Sequence, residues 1–255
     1  MDEKWSFVGK KQDNCDAAAD PADAERGERW DHVAMDPEHR LVLAVVPGKR
    51  TAANCNALVS QVFRRTGGPS GRLPRLITAD EYPSYKVAIH DVYGRRFVPL
   101  PVLPRPSGRP RVPGKRVPPA LNYAVVHKHR EDGRVVKVEA EVVFGTGESV
   151  AAALRRSKAS RAVNTSFVER HNGTDRHRNA RKARDTYRFS KDPQVHDAAT
   201  YYTMYSYNFC WPVRTLALKL AHGRRAPRTA AMAAGLADHV WSIREWVTLQ
   251  AVQSG

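Results

Sequence analysis

Cysteine is scarce: the 255 residues hold only Cys15, Cys55 and Cys210. An odd number of widely separated cysteines argues against a disulfide framework. No C-x-x-C pair is present to hold zinc, and His171 and His177 have no cysteine nearby to complete such a site. Long apolar runs are missing too. No stretch approaches the roughly 20 residues that span a bilayer, and no helix pattern is basic on one face and rich in Leu or Phe on the other. The start, Met-Asp-Glu-Lys-Trp, lacks the charged-then-apolar layout of a signal peptide, so the expectation is a cytoplasmic protein outside the membrane. Acidic residues are the third shortage: 26 stand against 42 Lys and Arg, a net charge of +16 with a pI near 10.1. That balance favours a polyanionic partner, of which nucleic acid is the commonest.

What is present has a readable order. Residues 2–11, DEKWSFVGKK, alternate as a strand, with Glu3, Trp5 and Phe7 on one face and Asp2, Lys4, Ser6 and Val8 on the other. After an acidic, Ala-rich loop, RWDHVAM and HRLVLAVVPG read as two strands joined by a turn at Asp36-Pro37-Glu38-His39, completing an antiparallel meander. Thr51 caps a helix that stops at Gly67-Gly68. A short apolar strand then ends at Asp80, and Pro83 is tolerated near the start of a helix. Residues 98–119 hold eight of the 17 prolines, a density that predicts an extended connection with neither strand nor helix. Two β-branched runs around Asp132-Gly133 predict a hairpin, and 148–158 a short Ala-rich helix. In 196–213 the spacing of Ala199, Tyr202, Tyr205 and Phe209 predicts a helix with that stripe in the core. The Trp241 to Val247 segment either docks on the domain or serves a dimer contact. The length suits one domain over 1–216, with an insertion at about 94–147, and a helical extension over 217–255. No internal repeat is evident.

The stretch Asn164 to Lys191 concentrates the charge. From Arg155 to Lys191 there are 12 Lys or Arg against Glu169, Asp175 and Asp185. On a helix, Glu169, Asn172, Gly173 and Arg176 fall at i, i+3, i+4 and i+7 and share a face, offering an oxygen ligand, an amide and a cation. Such a face suits phosphate chemistry. The basic set Arg170, Arg176, Arg178, Arg181, Lys182 and Arg184 is assigned to DNA phosphates, with structural ion pairing as the alternative. Asn172 either orients Glu169 or decorates a surface helix.

These segments are also similar to known ones. NTSFVERHNGTDRHRNARKARDTYRFSKD followed by TYYTMYSYNFCWPVR resembles the catalytic part of transposases of the insertion-sequence-one family, which belong to the DDE transposases. The likeness extends through DEKWSFVGKK, DHVAMDPEHRLVLAVVPGKRT and ITADEYPSY in consistent order over most of residues 1–216. It implies a ribonuclease-H-like α/β fold: three antiparallel strands, parallel additions and flanking helices, here with a proline-rich and hairpin insertion.

The resemblance further implies three catalytic, metal-binding carboxylates, Asp2, Asp80 and Glu169, which would hold two Mg²⁺ or Mn²⁺ ions. Ions about 4 Å apart can activate the attacking oxygen and stabilise the leaving one during phosphodiester cleavage. The implied activity is metal-dependent DNA strand cleavage and strand transfer on double-stranded DNA, by a homo-oligomer assembled on transposon ends and target. Family members carry an N-terminal region that recognises transposon ends, whereas this chain begins almost at the first catalytic Asp, as a fragment would. The competing reading is a catalytically inactive DNA-binding remnant or regulator of a transposase. A ribonuclease-H-like nuclease without transfer activity is a third.

Overall fold

Alternation at the start of the chain does produce a strand, but its buried side is the polar one. In the computed structural model, which describes residues 1–97, 114–183 and 186–249, β1 (Asp2–Val8) turns Lys4, Ser6 and Val8 inward and leaves Trp5 and Phe7 partly exposed. β2 (Gly27–Asp36) and β3 (Leu41–Gly48) follow, then α1 (Ala52–Arg65), β4 (Ile77–Ala79), α2 (Ser84–Tyr93) and β5 (Arg95–Phe97). Next in order come β6 (Gly114–Arg116), β7 (Tyr123–Glu131), β8 (Arg134–Phe144), α3 (Gly147–Arg156) and α4 (Ser166–Arg178). The chain continues through α5 (Pro193–Cys210), β9 (Leu218–Lys219), β10 (Arg225–Ala226), α6 (Ala230–Ala233) and α7 (Ile243–Thr248). The fold is α/β, with antiparallel and parallel strand pairing and flanking helices. Among the described residues no helix is long and apolar enough to cross a membrane.

The chain divides into two compact units, one made of Met1 and Thr51–Thr165, the other of Asp2–Arg50 and Ser166–Gly255. In the first unit β4 pairs parallel with β7, Ile77 opposite Tyr123, and β7 pairs antiparallel with β8. The hairpin turn has Asp132 at φ 47° and Gly133 at φ 76°, the two positive angles that match a two-residue turn to strand twist. Thr51 caps α1 by accepting from the Asn54 amide at 3.3 Å. Leu58, Val59 and Val62 of α1 and Tyr85 and Ile89 of α2 are all buried. The expectation that no strand forms within 98–119 needs correction at its end. Gly114–Arg116 pairs antiparallel with Arg95–Phe97, since residues 114–117 contain no proline to interrupt a ladder. Most of that proline-rich connection, 98–113, lies outside the described residues.

The second unit holds the antiparallel meander β1-β2-β3, as its alternation predicted. Over it pack α4 and α5, with Val33, Val42, Val45, Val168, Met204, Tyr207 and Ala230 forming one apolar cluster. At about 25 cal/mol per Å² of apolar surface removed from water, such a cluster is the main force holding these helices to the sheet. The stripe of α5 expected in the core is not its buried face: Tyr202 is 43% exposed, while His196, Thr200, Met204 and Tyr207 are buried. α5 turns an imidazole and a hydroxyl inward because charged groups lie beneath it. The segment before α7 docks on α5 through the Trp241 amide, which donates to the Phe209 carbonyl at 3.1 Å, and through the two rings, 4.6 Å apart.

Candidate nucleic-acid interface

α4 carries most of the residues singled out by the sequence, and its orientation is set by Val168, His171, Asn172 and Asp175, which are buried at i, i+3, i+4 and i+7. This face lies one residue out of step with the one drawn through Glu169, and shares only Asn172 with it. His171 sits against Tyr207, ring centroids 4.4 Å apart, with its Nε2 3.2 Å from the Met204 sulfur. Burial pushes its imidazole down to about 4, so it is neutral at pH 7. With that face inward, Arg170, Arg178 and Arg181 are left exposed, and Arg176 and Glu169 are partly covered. Arg178 lies 4.0 Å over the Trp211 ring and 5.6 Å from that of Tyr207, so its guanidinium is held in place while reaching solvent. Arg184 lies outside the described residues.

Lys182 departs from the phosphate-binding role expected of it. Its ammonium is fully buried and bonds the Asp31 carboxylate and the Thr200 hydroxyl, so it cannot reach a phosphate. It belongs to a network that the sequence reading missed. Asp31 also meets Lys4 at 3.1 Å, Lys4 in turn pairs with Asp175, and all four side chains are at most 2% exposed. Burial opposes the charge on Asp31, but the ammoniums of Lys182 and Lys4 outweigh it and hold the carboxyl well below its ordinary range. Beside them, His196 accepts or donates between Ser190 Oγ at 2.9 Å and Ser6 Oγ at 3.1 Å. Burial, then Lys182, depresses it to about 4. Strand pairing places Lys4 directly opposite Asp31, a register that the structure shows and the sequence reading did not fix.

The three expected catalytic carboxylates are placed as follows. Asp2 opens β1 and Glu169 lies on α4, both in the second unit; Asp80 follows β4 in the first. Asn172 Nδ2 donates to Asp2 Oδ2 at 2.8 Å, so this amide meets the first aspartate. Asp80 has a buried Oδ1 with no hydrogen-bond partner among the described residues. The expectation of two Mg²⁺ or Mn²⁺ ions is overturned: among the described residues no three His, Cys, Asp or Glu side chains come together in a way that could hold a metal ion. Asp2 is engaged by an amide instead, and Asp31 and Asp175, which do converge, are neutralised by lysines. No family model, curated protein or solved structure matches this chain.

Proposed function

We propose that the chain is a DNA-binding protein of the transposase kind, which holds double-stranded DNA by its phosphates in the service of DNA transposition. One observation carries the binding: α4 and the turn after it present Arg170, Arg178 and Arg181 to solvent on a chain of net charge +16. The buried lysines are already matched by aspartates, so among the described residues it is the exposed arginines that α4 and this turn can offer a polyanion. The resemblance to insertion-sequence-one transposases, with the ribonuclease-H-like architecture it implies, supplies the biological setting. Phosphate contacts of this kind fix position without reading bases. Fluorescence anisotropy of a labelled duplex should show affinity falling by orders of magnitude between about 50 and 200 mM salt. An affinity that changes less than threefold over that range overturns the reading.

The same preparation, offered a labelled transposon-end duplex and plasmid DNA, tests whether strand joining accompanies binding. Strong binding with no joining by the parent chain leaves a DNA-binding regulator.

A further inference from the structure

In the second unit Val213 follows α5 and Ala230 opens α6, both packed in the apolar cluster, and between them the chain leaves the body of the unit. The excursion is closed at its root, where the Val213 amide donates to the Arg228 carbonyl at 2.9 Å and Arg228 Nη2 donates to the Met232 carbonyl at 3.1 Å. Within it β9 and β10 pair antiparallel. The Leu220 amide donates to the Arg224 carbonyl at 2.8 Å, across a turn with His222 at φ 57° and Gly223 at φ 72°. Every residue from 218 to 225 is exposed, Leu218 and Leu220 included. The result is an arm with a fixed root, a solvated tip and no core of its own.

Its charge is of one sign. No Asp or Glu stands between Asp197 and Asp238, whereas Arg214, Lys219, Arg224, Arg225 and Arg228 all do. Among the described residues Arg214, Lys219, Arg224 and Arg225 pair with no carboxylate. Beyond the arm, Asp238 and Glu245 are both engaged by His239. The ladder also sets Lys219 directly opposite Arg225, a like-charge pair that weakens so short a hairpin. An acid at either position would have stabilised the arm, and an anion laid along it removes the repulsion instead.

We propose, resting on the DNA-binding reading above, that the arm from Arg214 to Arg228 is a second DNA contact, lying along the sugar-phosphate backbone of the duplex that α4 holds. Arg178 of α4 lies 4.0 Å over the Trp211 ring, two residues before the root of the arm, so the two basic elements are neighbours within one unit. Phosphate is the group that Lys219, Arg224 and Arg225 recognise, by charge and without reading bases.

The experiment is fluorescence anisotropy of a labelled duplex with the full chain between about 50 and 200 mM salt, with circular dichroism as a check of folding. The triple variant K219Q/R224Q/R225Q should lower the slope of log affinity against log salt by about 2 to 3 and weaken binding by about tenfold or more. The charge-keeping triple K219R/R224K/R225K should retain the parent slope, because counterion release follows charge. Amides from Leu218 to Arg225 should exchange more slowly when duplex is added. A parent insensitive to salt overturns the DNA-binding reading and this proposal with it. A steep parent slope that the glutamine triple keeps overturns the arm alone, and so does an equal loss of slope in both triples. Loss of binding to phosphatidylserine vesicles by a glutamine triple that keeps the parent's duplex slope also overturns it, and gives the arm to a membrane surface.

Discussion

Lys4 and Asp31 are register partners across β1 and β2, and the lysine ammonium lies 3.1 Å from the carboxylate with both side chains fully buried. Lys182 reaches the same carboxylate from the turn after α4, so one aspartate anchors cations from two separate elements. Moving charges out of water costs several kcal/mol per ion, and only close pairing offsets it. Removing the shared anion should therefore be far worse than removing either cation. Asp31→Asn is expected to lose about 3 to 5 kcal/mol of unfolding free energy, because two ammoniums are left without it. Urea denaturation of parent and variant measures the loss, and a change under about 1 kcal/mol would show that water reaches the network.

Lys182 and Arg181 are neighbours in sequence with opposite fates, one buried and one exposed. Arg170→Gln and Arg181→Gln are each expected to lower the slope of log affinity against log salt by about one while leaving stability nearly unchanged. Lys182→Gln should do the reverse: lost stability, unchanged salt slope. Anisotropy titrations at four salt concentrations, on material shown to be folded, separate the two outcomes.

How much of this could be read from the chain depends on how local the cause is. The β7-β8 hairpin was legible because Asp132-Gly133 and the flanking alternation act over a few residues. The α1 cap at Thr51 was legible for the same reason. Lys182 was not, since it stands in a basic run that looks uniformly solvated, and the carboxylate that buries it is 151 residues away. The inward face of α5 was hidden by its aromatic spacing: periodicity favours Tyr202, but buried charges beneath the helix require His196 and Thr200. The candidate site was legible in composition and misread in detail, because side-chain type alone does not tell a phosphate-binding lysine from an internally paired one.

Buried histidines set an acid limit: burial pushes His32, His171 and His196 all below the ordinary imidazole range. His171 and His196 are both held at about 4, against an ordinary 6.5, with burial as the leading cause. His171 faces Asp175, Lys4 and Arg178, while His196 faces Lys182, Asp31, Arg29 and Lys4 with the hydroxyls of Ser6 and Ser190. The unfolded chain takes up protons at these sites from about pH 6.5 downward and the folded chain does not. Stability is therefore whole above about pH 6.5 and declines between 6.5 and 4, by about 1.4 kcal/mol per pH unit for each histidine. Urea midpoints at pH 7.5, 6, 5 and 4.5 should trace that decline, and His171→Gln should flatten part of it. A midpoint constant from pH 7.5 to 4.5 would contradict the burial.

The Asn172 amide donating to Asp2 at 2.8 Å gives a last prediction that separates a charge effect from a packing effect. Asn172 is 2% exposed, so Asn172→Asp keeps the shape of the side chain while replacing the donor by a second carboxylate against the first. Two carboxylates at that distance do not both ionise freely; one is pushed up in pKa, and a shared proton relieves the repulsion. N172D should be destabilised at pH 7 by about 1 to 3 kcal/mol relative to the parent, the cost of losing a buried hydrogen bond and opposing like charges. The raised pKa fixes the sign with pH, since the folded variant binds a proton more readily than its unfolded chain. The deficit should therefore shrink as pH falls from 7 toward 4.5. Comparing parent and variant at each pH removes the histidine contribution common to both. A deficit that is the same at pH 7 and 4.5 would mean that Asp2 does not face position 172 in solution.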